Sequence, residues 1–289
     1  MISVALCTYN GGRFLREQLE SLRSQTLLPS EVQVGDDGST DDTLMIIEEF
    51  RASAPFPVHV TVNKQRLGYG ENFIQTARRC SGKWIAFCDQ DDIWKPHKLQ
   101  RSAQQIGDGV SLVAHDADGN LLNLRAEKRN PPLSLSPRWF CLGFCQLFDR
   151  RILEYPRQAL PWASVPDAHD VWVSFIAGMM GTIVWLDEQL AIYRRHETNV
   201  SLSLPELSGD DIGFIEAASR VAGDLGFTAA SIRYERFADR LKKRAELKET
   251  RNPRTFFELL LSGAYGSGGY DRFGKRGLLR DMQTLVAGA

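Results

Sequence analysis

The sequence predicts an α/β fold built on a mixed, mainly parallel sheet, with a helical appendage at its C-terminal end. From Ile2 to Cys88, short apolar runs of strand length alternate with stretches whose apolar residues recur at helical spacing. Each of those apolar runs ends in a polar or glycine-bearing cluster. From Pro205 onward strand-like runs give way to helical spacing. The expected organisation is an α/β domain over 1–204 and a helical region over 205–289.

In order, Ile2–Cys7 reads as a buried strand that breaks at Thr8-Tyr9-Asn10-Gly11-Gly12. Phe14, Leu15, Leu19 and Leu22 mark a helix to about Gln25, stopped before Pro29. Glu31–Gly35 is a second strand, ending in Asp36-Asp37-Gly38-Ser39, and Leu44, Ile47 and Phe50 restart the helical period, with Asp41 or Asp42 as N-cap. Val58–Val62 is a third strand, followed by a loop to Gly70. Phe73, Ile74 and Ala77 mark a helix before the strand over 84–88. Val110–His115 is expected as a strand, Asp116–Asn120 as a hairpin turn leading to Leu121-Leu122, and Arg125–Pro137 as a loop over the site. Phe140–Phe148 reads as a core strand, and Thr182–Leu186 with Leu190–Tyr193 as a strand pair around Asp187-Glu188.

Composition excludes some classes. With 43% hydrophobic and 25% charged residues the chain is an ordinary globular one, and a formal charge of -1 gives no pull toward nucleic acid. Five cysteines without CxxC spacing point to reduced, structural thiols and a reducing compartment. No apolar run approaches the roughly 20 residues of a membrane span, and no signal peptide is recognisable, so a cytoplasmic protein is expected.

The chemistry gathers where the strands end. Asp89-Gln90-Asp91-Asp92 follows the fourth strand, and clustered carboxylates are costly unless a cation shares them. Oxygen ligands on a loop suit Mg²⁺ or Mn²⁺ with a substrate phosphate completing the shell. The alternative is a solvated acidic turn capping the next helix. In a parallel sheet ligands lie beyond the carboxyl ends of the strands. That rule puts Thr8-Tyr9-Asn10, Asp36-Asp37-Gly38-Ser39, Gly68-Tyr69-Gly70 and Asp89-Gln90-Asp91 on one rim. Such a rim reads as a nucleotide site: a carboxylate for base or ribose, a ring for stacking, glycines for close approach and a metal for a diphosphate.

Val4–Asn10, Gly35–Asp41 and Asp89–Trp94 together resemble family 2 glycosyltransferases of the GT-A fold, over roughly residues 2–200. The resemblance implies a nucleoside-diphosphate sugar donor, a divalent metal (Mg²⁺ or Mn²⁺) and inverting transfer. Thr8, Tyr9 and Asp37 match nucleoside-binding positions, with Asn10 beside them. Asp89 matches the first acid of the DxD motif, near the ribose, and Asp91 the metal-binding acid. Gly68 and Asn72 match the loop and helix start that border the nucleotide. Asp170, in Pro166-Asp167-Ala168-His169-Asp170-Val171-Trp172, matches the general base, with helix capping as its alternative role. Arg194-Arg195-His196 ends a strand with cations and an imidazole, suiting a diphosphate and a metal. His196 is the candidate ligand. Strand alternation lets only one of the two arginines face the site, and Arg195 is carried as the donor-contacting candidate.

The run Asp-Gln-Asp-Asp-Ile-Trp is most similar to rhamnosyltransferase-like members, which implies a dTDP-sugar donor, with UDP-sugars open, and a saccharide or lipid-linked acceptor in cell-surface polysaccharide synthesis, such as O-antigen. Residues 233–289 hold 13 Lys/Arg against 7 Asp/Glu, with apolar Phe256-Phe257 and Leu259–Leu261 and a mixed run at 273–279. This reads either as helices packing on the catalytic domain or as a peripheral membrane contact at the inner face. The rival functions are a nucleotidyltransferase, disfavoured because the first strand is not followed by a glycine- and basic-rich phosphate loop, and a non-catalytic sugar-nucleotide-binding protein. Oligomeric state is open.

Overall fold

The computed structural model describes residues 1–119, 141–157, 168–197, 211–261 and 282. They form two compact units, one of residues up to Glu197 and one of residues from Asp211 on. The first unit is an α/β layer structure. Its strands are β1 (Ile2–Thr8), β2 (Glu31–Asp36), β3 (Val58–Val62), β4 (Trp84–Asp89), β5 (Ile93–Trp94), β6 (Val110–Asp118), β7 (Gln146–Asp149) and β8 (Thr182–Ile192). They make one sheet in the order β3-β2-β1-β4-β7-β6-β8-β5. Pairs β1–β2, β1–β4, β2–β3 and β6–β8 are parallel, while β7 runs antiparallel to β4 and β6.

Helices α1 (Gly12–Arg23), α2 (Thr43–Arg51), α3 (Tyr69–Arg79), α4 (Lys98–Ala103) and α5 (His169–Met180) accompany the sheet. Every residue of β1 and β2 is buried, as expected for strands covered on both faces. Val4, Leu6, Val32 and Val34 share a core with Leu15, Leu19 and Leu22 of α1 and Ile46, Ile47 and Phe50 of α2. On α3, Phe73 meets Phe87 of β4 edge to face at 5.2 Å between ring centroids. Full burial of each large aliphatic side chain contributes about 1.5–3 kcal/mol, so continuous apolar strands and helices with one apolar face are what make these elements pack. The five cysteines are free and buried, so none staples the fold.

Several boundaries differ from the sequence expectations, each for a visible reason. Helix α1 stops at Arg23 rather than Gln25, because the Gln25 side chain bonds the Ser21 and Lys95 carbonyls and accepts from the Leu99 N–H. Asp116–Asp118 is not a turn: β6 continues through it because Asp116, Ala117 and Asp118 pair with Gln189, Ala191 and Ile192. The expected strand pair at 182–193 is one strand, β8, and Asp187-Glu188 is accommodated as an irregularity between His115 and Asp116 of its partner. Within 140–148, Gly143–Cys145 is a 3₁₀ turn and only Gln146 onward is strand. The loop expected at 125–137, Leu121-Leu122, Asp167 and the 273–279 run lie outside the described residues.

The second unit is helical: α6 (Asp211–Asp224), α7 (Thr228–Thr250) and α8 (Pro253–Leu261). Ala218, Ala222, Ala230 and Ala238 are buried with Tyr234, small side chains that let α6 and α7 approach closely. Arg251 ends α7 in the left-handed conformation (φ 51°), its N–H bonded to the Leu247 carbonyl, and Pro253 starts α8 where a missing N–H costs nothing.

A Cβ on Gly35 would lie 2.0 Å from Thr76 Oγ1 and 2.6 Å from Asn72 Oδ1, against helix α3. Gly35→Ala is expected to destabilise the protein by about 1–3 kcal/mol in urea unfolding, whereas Arg78→Ala, exposed on the same helix, stays within about 0.5 kcal/mol.

Candidate functional site

The ends of β1, β2 and β4 and the loop after β3 are tied together by side chain to backbone bonds. Asp36 is their organiser: its carboxylate accepts from the N–H groups of Gly38 (3.1 Å) and Ser39 (2.8 Å) and from the hydroxyls of Thr8 (2.7 Å) and Ser39 (2.6 Å). Gly38 has φ +86°, a conformation that glycine adopts without strain. Asp37 accepts from Asn63 Nδ2 (3.0 Å) and from the N–H groups of Leu67 (2.7 Å) and Gly68 (2.9 Å), so it anchors the loop into α3. Asn72 is buried, bonding the Gly35 carbonyl (2.8 Å) and Asn63 (2.9 Å). The Asn10 N–H meets Ser39 Oγ, and Asn10 Oδ1 accepts from the Thr40 N–H. Of the expected nucleoside contacts, Thr8, Asp37 and Asn72 have polar groups already bonded within the chain, and Tyr9 presents an exposed ring.

Gln90, between two acids that drew attention to themselves, went unremarked in the sequence. Its carboxamide accepts from the Tyr9 N–H (2.9 Å) and donates to the Tyr9 carbonyl (3.1 Å), clamping the β1 end to the β4 end. No spacing rule signals a residue of this kind.

Next to it lies the acid cluster. Burial, then the neighbouring Asp91 and Asp170 carboxylates, hold the Asp89 carboxyl well above the usual range. Burial, then Asp89 and Asp91, push Asp92 up to about 9. The segment after β8 closes against these acids. Arg194 donates from its backbone N–H to Asp92 Oδ1 (3.2 Å), and from its guanidinium to the Asp91 and Phe14 carbonyls and to Glu17. Arg194 therefore fastens the segment to the chain, while Arg195 is exposed; alternation does not decide between them because β8 ends at Ile192. His196 stacks on Phe14 (4.4 Å between ring centroids) and sets Nε2 2.8 Å from Asp91 Oδ2.

The expected metal can be tested against these donors. Among the described residues no group of three or more His, Cys, Asp or Glu side chains forms a cage. The Asp91 oxygen and the His196 nitrogen converge from elements far apart in sequence, beside a buried excess of carboxylates. A carboxylate and an imidazole suit Mn²⁺ that takes its remaining ligands from diphosphate and water, whereas Mg²⁺ prefers an all-oxygen shell. The donor set fits the ion.

Asp170 sits in the first turn of α5, and its charge is felt by Asp89. The Gln146 carboxamide holds that turn by donating to the Asp170 carbonyl (3.1 Å) and the Cys141 carbonyl (2.9 Å). Burial raises the Asp170 carboxyl to about 6, against hydrogen bonds from backbone N–H groups including that of Val171. His169 points away into an aromatic box, stacked on Phe73 (4.2 Å) and edge-on to Phe87 (4.8 Å). Among the described residues neither ring nitrogen finds a partner, and burial lowers its pKa to about 3, so the ring is neutral packing beside Asp170. Beneath the acids, the buried Lys98 lies 2.6 Å from His115 Nε2 and donates to the Phe144 carbonyl (2.8 Å). Burial lowers it to about 8. It links the segment after the acids to the turn that packs on His169.

A mixed, mainly parallel α/β sheet with acids beyond its strand ends and a carboxyl facing them defines the class, a GT-A glycosyltransferase. The family model "Glycosyl transferase family 2" matches residues 3–155. An uncharacterised glycosyltransferase of Nostoc sp. is 31% identical over 219 residues, covering 70% of this chain and 67% of its own. A dTDP-rhamnosyl transferase, RfbG of Shigella flexneri, is 35% identical over 101 residues, covering 34% of this chain and 35% of its own. The mannosyltransferase PcManGT of Pyrobaculum calidifontis, in complex with GDP-Man and Mn²⁺, has a similar fold: TM-score 0.55, 16% identity, covering 99% of this chain and 85% of its own. The chain spans 59–67% of the length of the first curated relatives it matches. The chain belongs to glycosyltransferase family 2.

Asp170 also dictates a pH dependence. Its folded carboxyl, at about 6, keeps a proton that the unfolded chain releases above about 3.9, so its burial costs stability as pH rises through that window and the full cost applies above it. Asp170→Asn is expected to stabilise the metal-free protein by about 2 kcal/mol at pH 8, an advantage that vanishes toward pH 4. Urea unfolding across that range checks it; an equal advantage at both ends would contradict the buried-carboxyl account.

Proposed function

We propose that this glycosyltransferase moves a sugar from a nucleoside-diphosphate donor to a hydroxyl of a saccharide or lipid-linked saccharide, with inversion at the anomeric carbon. The observation that carries the proposal is the placement of the Asp170 carboxyl beside Asp89, near the Asp91–His196 pair. Asp170, raised to about 6, is ionised at neutral pH yet basic enough to take a hydroxyl proton. The acceptor oxygen attacks as that proton leaves, and the nucleoside diphosphate departs on the opposite side. Asp91 and His196 would hold the divalent ion, which when bound stabilises charge on the departing diphosphate. Tyr9 and Asn10, at the exposed rim, would border the nucleoside, and the exposed Arg195 would neutralise phosphate.

Membership of the family sets aside the nucleotidyltransferase alternative. For the donor sugar we favour rhamnose on dTDP, supported by the Asp89–Trp94 run and by the partial similarity to a dTDP-rhamnosyl transferase, with UDP-sugars as the competing donors. No helix among the described residues is long and apolar enough to cross a membrane. The exposed Phe257 and Leu261 on α8, with the local basic surplus, support a peripheral contact with an anionic lipid surface.

Asp170→Asn is expected to lower transfer by about 10²–10⁴-fold while nucleoside-diphosphate binding with Mn²⁺, followed by thermal shift, is unchanged. Transfer by the unmodified enzyme should fall as pH drops through about 6, because protonation removes the base. Retention of full transfer in Asp170→Asn would refute the assignment, and absence of transfer from any nucleotide sugar by the unmodified chain would favour a non-catalytic binding protein.

A further inference from the structure

Lys98 opens α4 and is 1% exposed, one of the largest side chains buried in the protein. Taking an ammonium out of water is costly, and a methionine would fill the same space without that cost. What the ammonium adds is directed contact. It donates to the Phe144 carbonyl at 2.8 Å, lies 2.6 Å from His115 Nε2 and sits 4.4 Å from the Trp94 ring centroid. His115 Nδ1 is 2.7 Å from the Asp116 carbonyl, which can only accept, so Nδ1 carries the hydrogen and Nε2 offers its lone pair to the ammonium. Among the described residues, the other ionisable groups facing Lys98 are the Cys88, Cys141 and Cys145 thiols and Asp92. Burial raises the Cys88 and Cys145 thiols and keeps them neutral.

The Phe144 carbonyl belongs to the 3₁₀ turn Gly143–Cys145, which is closed by the Cys145 N–H on the Leu142 carbonyl (2.8 Å). That turn is pressed against the first turn of α5. A Cβ on Gly143 would lie 2.6 Å from His169 Nε2 and 3.6 Å from Asp170 Cβ. His169, enclosed by Phe73 and Phe87, has little room to give, so the close approach requires glycine. The approach brings the Gly143 N–H to the Asp170 carboxylate, where it is one of the backbone donors opposing the effect of burial. Gln146, just past the turn, holds the same helix by the Asp170 carbonyl (3.1 Å) and Ser174 Oγ (3.2 Å). Asp89, at the end of β4, is the charged neighbour of the Asp170 carboxyl.

We propose that Lys98 is a positioning residue for sugar transfer: by holding the Phe144 carbonyl it fixes the turn and keeps the Gly143 N–H on the Asp170 carboxylate. The assignment rests on the reading of Asp170 as the base. Without the ammonium the Phe144 carbonyl is left buried and unmet, and the turn has to rearrange to find another donor. The Gly143 N–H then leaves the carboxylate, which becomes harder to ionise and less well aimed at the acceptor hydroxyl.

The test is carboxyl NMR of ¹³C-aspartate-labelled protein from about pH 4 to about pH 8, for the unmodified chain, Lys98→Met and Lys98→Gln. The Asp170 signal is assigned by its loss in Asp170→Asn. Its midpoint should move upward by about one pH unit in Lys98→Met, and by less in Lys98→Gln, whose shorter chain keeps an N–H donor. Should Lys98→Met fail to fold, Lys98→Gln carries the test. The Gly143 amide proton should follow the Asp170 titration in the unmodified protein and lose that dependence in Lys98→Met. Transfer by Lys98→Met, read as nucleoside-diphosphate release from the nucleotide sugar that the unmodified protein uses, should fall about tenfold in kcat with the donor KM unchanged. An Asp170 midpoint that does not move overturns the proposal, whatever the melting temperature. Weaker Mn²⁺ binding in Lys98→Met with the Asp170 midpoint unmoved overturns it in favour of a counter-ion to the acid cluster. Full transfer by Asp170→Asn removes the base reading, and with it the proposal, even where the midpoint shift is seen, so the two failures are told apart.

Discussion

The rest of the structure depends on keeping like charges together. Asp89, Asp91 and Asp92 crowd the end of β4 with Asp170 acting on Asp89 from the first turn of α5, and burial with that repulsion pushes the carboxyls of Asp89 and Asp92 far up. Each acid taken from water costs free energy that nothing in an apolar core returns. The chain therefore has to clamp the cluster from outside. Gln90 pins the β4 end to β1, Arg194 straps the end of β8 across the acids, and Gln146 fixes the first turn of α5. A divalent ion shared by Asp91 and His196 would offset the repulsion that these clamps only resist.

The division of labour among the acids follows from their partners. Asp36 has its two oxygens met by four donors and serves the loop geometry. Asp37 has three and anchors the approach to α3. Asp170 has backbone donors and, among the described residues, no cation as a hydrogen-bond partner, so burial governs it and lifts its basicity. Identical side chains thus differ in basicity and in bonding according to what surrounds them. Lys98, buried below, ties the segment after the acids to the Phe144 turn that carries the packing against His169.

Much of this was legible in the sequence because it rests on local pattern. The β-α alternation to Cys88 is periodicity, and the rule that parallel strands present ligands at one end brought Thr8, Asp37, Gly68 and Asp89 together before any coordinates. What was not legible depends on partners distant in the chain. Nothing local marks Gln90 as a clamp, Arg66 as a cover for Tyr9, or Arg194 as a strap, since each acts on residues brought near only by folding. Asp116–Asp118 has turn composition and became strand because β8 was there to pair with it. His169 stands beside Asp170 in the sequence, yet its ring is enclosed by Phe73 and Phe87.

The central claim is that the acid cluster exists to hold a divalent ion against a nucleoside diphosphate. The direct measurement is electron paramagnetic resonance of Mn²⁺ titrated into the protein with and without nucleoside diphosphate, for the unmodified chain, Asp91→Asn and His196→Ala. The account predicts nucleotide-enhanced Mn²⁺ binding that Asp91→Asn abolishes and His196→Ala weakens. Mn²⁺ binding that is indifferent to both substitutions, or absent even when a nucleotide is bound, would contradict it.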